Sequence, residues 1–185
     1  DYICNMFKAI FSKQKRRLKA MWERYDLVFK QPAKTSRETF KKKDTYILKL
    51  RFEDQEIEGL GECSPLWTLS IDPKREYSEK LDWVCANIND WKNFIYSDEL
   101  SNYPSIQFGL EAALLDLQNG GKQVVFPSRF TDGLDPIEIN GLIWMGNYDY
   151  MSQQIEEKIQ LGFTCVKMKI GAIDWDEEKK MLQNI

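Results

Sequence analysis

Thr164-Cys-Val-Lys-Met-Lys-Ile-Gly171 is the stretch on which the reading of this chain turns. Its β-formers predict a strand over Thr164–Ile170, closed by Gly171. Side chains alternate along a strand, so Lys167 and Lys169 share one face while Val166, Met168 and Ile170 take the other. Upstream, Ile137–Ile143 reads as a buried strand ending near Met145-Gly146. Asp149–Gln160 then reads as a helix with Met151, Ile155 and Ile159 inward and Gly162 as its C-cap. Downstream, Trp175 opens another helix that continues to Ile185. The order is β-α-β-α, with the spacing of a parallel crossover unit. Two such units neither close a barrel nor finish a sheet, so the barrel is expected to be incomplete in this chain.

In a (β/α) barrel the apolar face of that strand meets the helices. Both lysines then stand in the interior near the C-terminal rim, where barrel active sites lie. Two ammonium groups there repel each other and lose water. Both effects favour the neutral amine and would let one lysine act as a base near neutral pH. Spacing alone fits an exposed, solvated strand as well.

The region before this unit has a different pattern. Tyr25–Phe29 reads as extended, with Gln31-Pro32 as a break. Tyr46–Phe52 alternates, Asp54-Gln55 is turn-like and Ile57–Glu62 reads as a return strand. Leu81, Val84, Ile88, Trp91 and Ile95 form one helical stripe. A second helix is predicted over about Ser105–Leu117, with Ile106, Leu110, Ala113, Leu114 and Leu117 buried. Pro104 and Ser105 start it, and Asn119-Gly120-Gly121 stops it. Strands first and helices second predict an α+β layer. Residues 1–21 stand apart: Lys8, Lys13, Lys15, Arg16, Arg17 and Lys19 precede any acid after Asp1. They read as a poorly ordered basic leader, or as a basic amphipathic segment. The expected divisions are therefore 1–21, 22–130 and 131–185.

Composition narrows the function. The 185 residues are 43% hydrophobic and 30% charged, which excludes wholesale disorder. Net charge is −3, so a global basic footprint for nucleic acid is absent. No apolar run approaches the roughly 18 residues that span a bilayer. The chain has no His, which removes Ser-His and Cys-His mechanisms and His-ligated metals. Cys4, Cys63, Cys85 and Cys165 are scattered and read as free thiols of a reducing, cytoplasmic setting.

Two loops add candidate residues. Lys30-Gln-Pro-Ala-Lys-Thr-Ser-Arg37 offers two hydroxyls and a guanidinium fork suited to a carboxylate, or ordinary turn chemistry. Gly59-Leu-Gly-Glu-Cys-Ser-Pro-Leu66 has neither the GxGxxG spacing nor a following helix of a phosphate cradle. Its glycines read as a close backbone approach or a bulge.

In order along the chain, the Pro-x-x-Thr-Ser-Arg loop, the Gly-x-Gly-Glu-Cys-Ser-Pro-Leu turn, the Ser-x-x-Phe-Gly-Leu-Glu-Ala-Ala-Leu-Leu-Asp-Leu helix and the Val-Lys-Met-Lys-Ile-Gly strand resemble the enolase superfamily. Within it they are most similar to the o-succinylbenzoate synthase family of menaquinone biosynthesis, over roughly residues 24–185. The Lys-x-Lys strand is shared with dipeptide epimerases, N-acylamino acid racemases and muconate lactonising enzymes; the Thr35-Ser36-Arg37 loop narrows the resemblance to the synthase.

The resemblance implies an α+β capping domain followed by a TIM-type (β/α)7β barrel. It implies that Lys169 takes the proton α to a carboxylate and then protonates the departing hydroxide, with Lys167 beside it. Thr35, Ser36, Arg37, Ser64 and Pro65 would contact the substrate, a small-molecule carboxylate. The family enzyme uses Mg2+. Its ligands lie on later barrel strands, so no metal ligand is assigned in this chain. Lys34 and Glu38 stand where the family has glycines. Expected partners are the remaining barrel segment or a complementing chain, with a homo-oligomer left open. Alternative readings are a non-catalytic module, one half of a split enzyme, or an epimerase of the same superfamily.

Overall fold

The computed structural model describes residues 16–34, 38–171 and 173–183. They divide into two compact units. One takes the described residues up to Leu27 with Lys43–Leu134; the other takes Val28–Lys42 and the described residues from Asp135 onward.

A three-stranded sheet has the order β1 (Leu18–Lys34), β2 (Thr39–Phe52), β3 (Glu58–Cys63); β1 up to Leu27, β2 from Lys43 and all of β3 belong to the first unit, and the rest of β1 and β2 to the second. β2 and β3 are antiparallel, with Tyr46 opposite Cys63, Leu48 opposite Gly61 and Leu50 opposite Gly59. Tyr46, Leu48 and Leu50 are buried at every second position, the alternation of a one-sided sheet. Opposite them β3 turns Gly59, Gly61 and Cys63 inward. Against that face lies the helix α3 (Pro104–Gln118), which buries Ile106, Leu110, Ala113, Leu114 and Leu117 as its spacing predicts.

The glycines explain how close these elements come. A methyl at Gly61 would overlap the carbonyl of Gly109, one at Gly109 would overlap the Cys63 sulfur, and one at Gly59 would overlap the Ala113 carbonyl. The Gly-x-Gly turn is therefore a backbone-to-backbone contact. β3 is a sheet edge, and Asp116 on α3 covers part of it: its Oδ2 accepts the Leu60 N–H at 2.9 Å. Asp116 is fully buried, and its Oδ1 has no hydrogen-bond partner among the described residues. Gly120 and Gly121 end α3 with φ of 88° and 66°, as the stop signal requires.

At its other end α3 begins at Pro104, whose missing N–H costs nothing there. Asp72 caps it from a loop: Oδ1 accepts the Ser105 N–H at 3.1 Å and the Ser105 hydroxyl at 2.7 Å. Tyr77 OH lies 2.6 Å from the same hydroxyl, and burial pushes its phenol well up from the usual range. Tyr77 also anchors an aromatic cluster, 4.9 Å from the Tyr46 ring and 5.1 Å from the Trp67 ring.

Three sequence expectations differ here. The basic segment extends the sheet: β1 starts at Leu18, inside the stretch read as a leader, while residues 1–15 lie outside the described residues. Leu18 is buried, and Asn89 holds its backbone at both groups, accepting the N–H at 2.8 Å and donating to the C=O at 3.1 Å. Ala20 and Trp22 pack on the core between exposed Lys19, Met21 and Glu23, a period of two rather than a helical one. β1 also runs through Pro32, since an outer strand needs no second ladder donor. The single stripe from Leu81 to Ile95 is two helices, α1 (Tyr77–Ala86) and α2 (Trp91–Ile95). Asn87 divides them, its amide donating back to the Trp83 carbonyl at 2.8 Å. All five stripe residues are nonetheless buried.

The second unit contains β4 (Gly141–Ile143), α4 (Tyr148–Gln160), β5 (Val166–Met168) and α5 (Trp175–Gln183). The strands are parallel, with Leu142 opposite Lys167 and Ile143 opposite Met168. Ile143, Met151, Ile155 and Met181 form its core, with Val166 and Met168 packed against them. Both strands are shorter than their apolar runs: Ile137 and Ile139 precede β4 and are exposed, and Ile170 follows β5 and is exposed. Among the described residues the two strands pair over three positions, and Ile137, Ile139 and Ile170 lie outside that pairing. Ile159, expected inward, is exposed near the end of α4. Gly162, with φ of 80°, closes α4: its N–H bonds the Ile159 carbonyl and that of Phe163 bonds Lys158.

The glycine contact predicts its own test. Gly61→Ala forces β3 and α3 apart, and overpacking of this kind costs about 1–3 kcal/mol. Urea unfolding of the variant should show a midpoint lowered accordingly.

Candidate active site

β5 carries Lys167, and Lys169 stands one residue beyond its end. Exposure alternates as strand geometry requires: Val166 and Met168 are half-buried toward the helices, Lys167 and Lys169 are exposed. Leu142, paired with Lys167, is exposed on β4 as well, so the sheet presents an open face away from α4 and α5.

Polar side chains from the two helices hold the ends of both strands. After β4, Gln154 of α4 accepts the Trp144 N–H at 2.9 Å and donates to the Trp144 carbonyl at 3.1 Å. After β5, Glu178 of α5 accepts the Gly171 N–H at 2.6 Å. Both side chains are buried. Beside the end of β4, Trp144, Met145 and Tyr150 line a largely apolar cavity of about 330 Å³ together with Phe29, Gln31, Pro32 and Ala33 of β1.

Ser64 and Pro65 belong to the first unit, directly after β3. Pro65 is buried. The Ser64 hydroxyl lies 2.9 Å from the Thr45 hydroxyl, which donates to Glu62 at 3.2 Å. Lys43 stands 3.6 Å from the same carboxylate. Hydrogen bonding from Ser64, then the Lys43 charge and the Thr45 hydroxyl, hold the Glu62 carboxyl below the usual carboxylate range against the opposing effect of burial. Glu62 and Ser64 line a second, shallow cavity of about 330 Å³ with Ser105 and the exposed Phe108.

Thr35, Ser36 and Arg37 lie outside the described residues. Sequence reasoning singled out Ser64 and the two lysines but passed over Lys43, Thr45, Gln154 and Glu178. Gln154 had a visible signal: it is a polar residue beside Met151 and Ile155 on the inward stripe of α4. Glu178 sits among the acids of the first turn of α5 and had no such mark.

Among the described residues no three of Cys, Asp and Glu stand together as a metal site would require. These residues do not fit a divalent-metal centre. No helix among them is long and apolar enough to cross a membrane. Cys63, Cys85 and Cys165 are free thiols, and burial pushes the Cys85 thiol up to about 11.

Because the folded Glu62 carboxyl titrates below its ordinary range, its charged form adds stability above that range, and this is lost as pH falls through the depressed value. Ser64→Ala removes the first of its supports. Carboxyl-carbon NMR titration should find the Glu62 pKa moved up toward the ordinary value, and the acid limb of the stability profile moved to higher pH.

Known proteins are similar to this chain in sequence and in fold. The family model described as MenC, N-terminal domain, matches residues 16–117. The o-succinylbenzoate synthase of Desulfotalea psychrophila is 36% identical over 194 residues, covering 89% of this chain and 52% of its own length. The chain thus spans about half the length of that curated relative. The crystal structure of MenC from Desulfotalea psychrophila LSv54 superposes with a TM-score of 0.68 at 31% identity, over 90% of this chain and 52% of the other. The o-succinylbenzoate synthase of Thermosynechococcus elongatus BP-1, crystallised with Mg in its active site, gives 0.67 at 20% identity, over 90% and 47%. A dipeptide epimerase of Enterococcus faecalis V583 gives 0.67 at 18%, over 91% and 50%. At those last two identities the likeness is one of fold. The family model covers more than half of this chain and ends with α3, whose close contact with β3 it spans: the chain belongs to the MenC family.

Proposed function

We propose that this chain forms part of a lyase of the o-succinylbenzoate synthase type, which dehydrates a cyclohexadiene carboxylate to 2-succinylbenzoate. The observation that carries the reading is the Lys-x-Lys pair at the end of a parallel strand, on the side away from the helices, in a chain 36% identical to such a synthase. In this reading residues 22–130 are the capping domain and 131–185 supply the first two βα units of a barrel.

Lys169 would act as the base. Its amine takes the proton from the carbon α to the carboxylate. The electron pair left behind expels hydroxide from the adjacent carbon, and the same ammonium returns the proton to it, so that water leaves. Lys167, on the same side of the strand, would stand beside Lys169. Arg37 would grip a carboxylate with its fork, with Thr35 and Ser36 adding donors. Ser64 and Pro65 would shape the pocket from the capping domain. The Mg in the active site of the Thermosynechococcus protein would stabilise an enediolate; the described residues contain no set to hold the ion. The open face of β4 and β5 supports a need for further strands, from the same polypeptide or a complementing one. A cytoplasmic setting accords with the free thiols.

The test joins this chain to the second half of the Desulfotalea psychrophila protein and follows formation of the aromatic product. Lys169→Ala should lower kcat by about 10²–10⁴-fold. Arg37→Met should act mainly on KM. Full turnover without the Lys169 amine would remove the reading. Racemisation of N-acyl amino acids in place of dehydration would move the chain to the epimerase branch. A well-protected monomer that neither binds nor turns over the carboxylate would favour a non-catalytic module.

A further inference from the structure

The groups that hold the two strand ends are not used by the chemistry above. Gly171 has φ of 89°, a left-handed conformation in which the chain leaves β5. Its N–H ends at the carboxylate of Glu178, 2.6 Å away, on a side chain that is only 2% exposed. A hydrogen bond to a carboxylate is among the strong ones. The acid lies in the first turn of α5, where Asp174 accepts the Asp176 N–H at 2.9 Å as an N-cap and the helix dipole favours negative charge. Gln154 does the corresponding work after β4, satisfying both backbone groups of Trp144. The helix following each strand thus reaches back to fix that strand's C-terminal end.

We propose that Glu178 is a positioning residue: by holding the Gly171 amide it sets the course of residues 169–171 and so the place of the Lys169 amine. Lys169 is two residues from the held amide and is exposed. Rigid support behind a reacting group is what keeps its geometry productive. This inference rests on the reading of Lys169 as the base.

The experiment uses the whole 185-residue chain and needs no turnover. Amide hydrogen exchange by NMR should show Gly171 protected, with exchange about tenfold faster or more in Glu178→Ala. In Glu178→Gln, which keeps an acceptor oxygen, the rate should return to within about twofold of the parent. The order parameter of the Lys169 amide should follow, falling from about 0.85 toward 0.6 in the Ala variant and recovering in the Gln variant. Amides of Ile143 and Met151 report whether the unit stays folded. Unchanged exchange at Gly171 in Glu178→Ala overturns the proposal, as does an unmoved Lys169 order parameter while Gly171 opens. If Glu178→Ala also exposes Ile143 and Met151, the Gln variant decides, and an unprotected Gly171 there overturns it. Failure of the lysine reading is separate: Lys169→Ala would keep full turnover while both backbone readouts stood.

Discussion

The contact on which the first unit depends is one of backbone against backbone. β3 and α3 approach so closely at Gly61 and Gly109 that no side chain fits between them. A sheet and a helix usually meet through a layer of side chains; here the layer is missing along one line. The neighbouring residues pack around it instead: Leu48 and Leu50 from β2, Leu110, Leu114 and Leu117 from α3. Packing at that density leaves little room for rearrangement. It also carries Ser64 and Pro65, which follow β3, to a set place beside Thr45 and Ser105.

Polar groups in both units serve that geometry. Asp116 meets the free edge of β3, Asp72 caps α3, and Asn89 holds the first residue of β1. In the second unit Gln154 and Glu178 do so at the strand ends. Each of these side chains satisfies a backbone group that the regular ladders leave over, and Asp116, Asp72, Gln154 and Glu178 are themselves buried, where an unmet group is costly. The strands of the second unit pair over only three residues, so their course depends on such contacts more than on the ladder.

What could be read in advance followed local rules. The burial of Ile106, Leu110 and Leu114 came from a helical period, the left-handed Gly120 and Gly162 from stop signals, and the alternation around Lys167 from the pleat. What could not be read followed from neighbours. The stripe from Leu81 to Ile95 has one period but is two helices, because Asn87 turns its amide back on Trp83. Pro32 looked like a break, and is not one because β1 lies at the sheet's edge. Ile159 and Ile170 carry the right residue type at the right spacing, yet both are exposed, and no described element covers them.

By itself the amino-acid sequence determined the order of strands and helices, the absence of histidine chemistry and the placing of two lysines on one side of a strand. These depend on residue type and on periods of two and 3.6, which are properties of the chain alone. Tertiary structure decided which glycines mark a contact, which acids are buried and which backbone groups they hold. Asp72, Asp116 and Glu178 look no different in sequence from the solvated acids around them. Only the fold brings Ser105, Leu60 and Gly171 to their carboxylates, because a hydrogen bond of three ångströms depends on position in space rather than on distance along the chain.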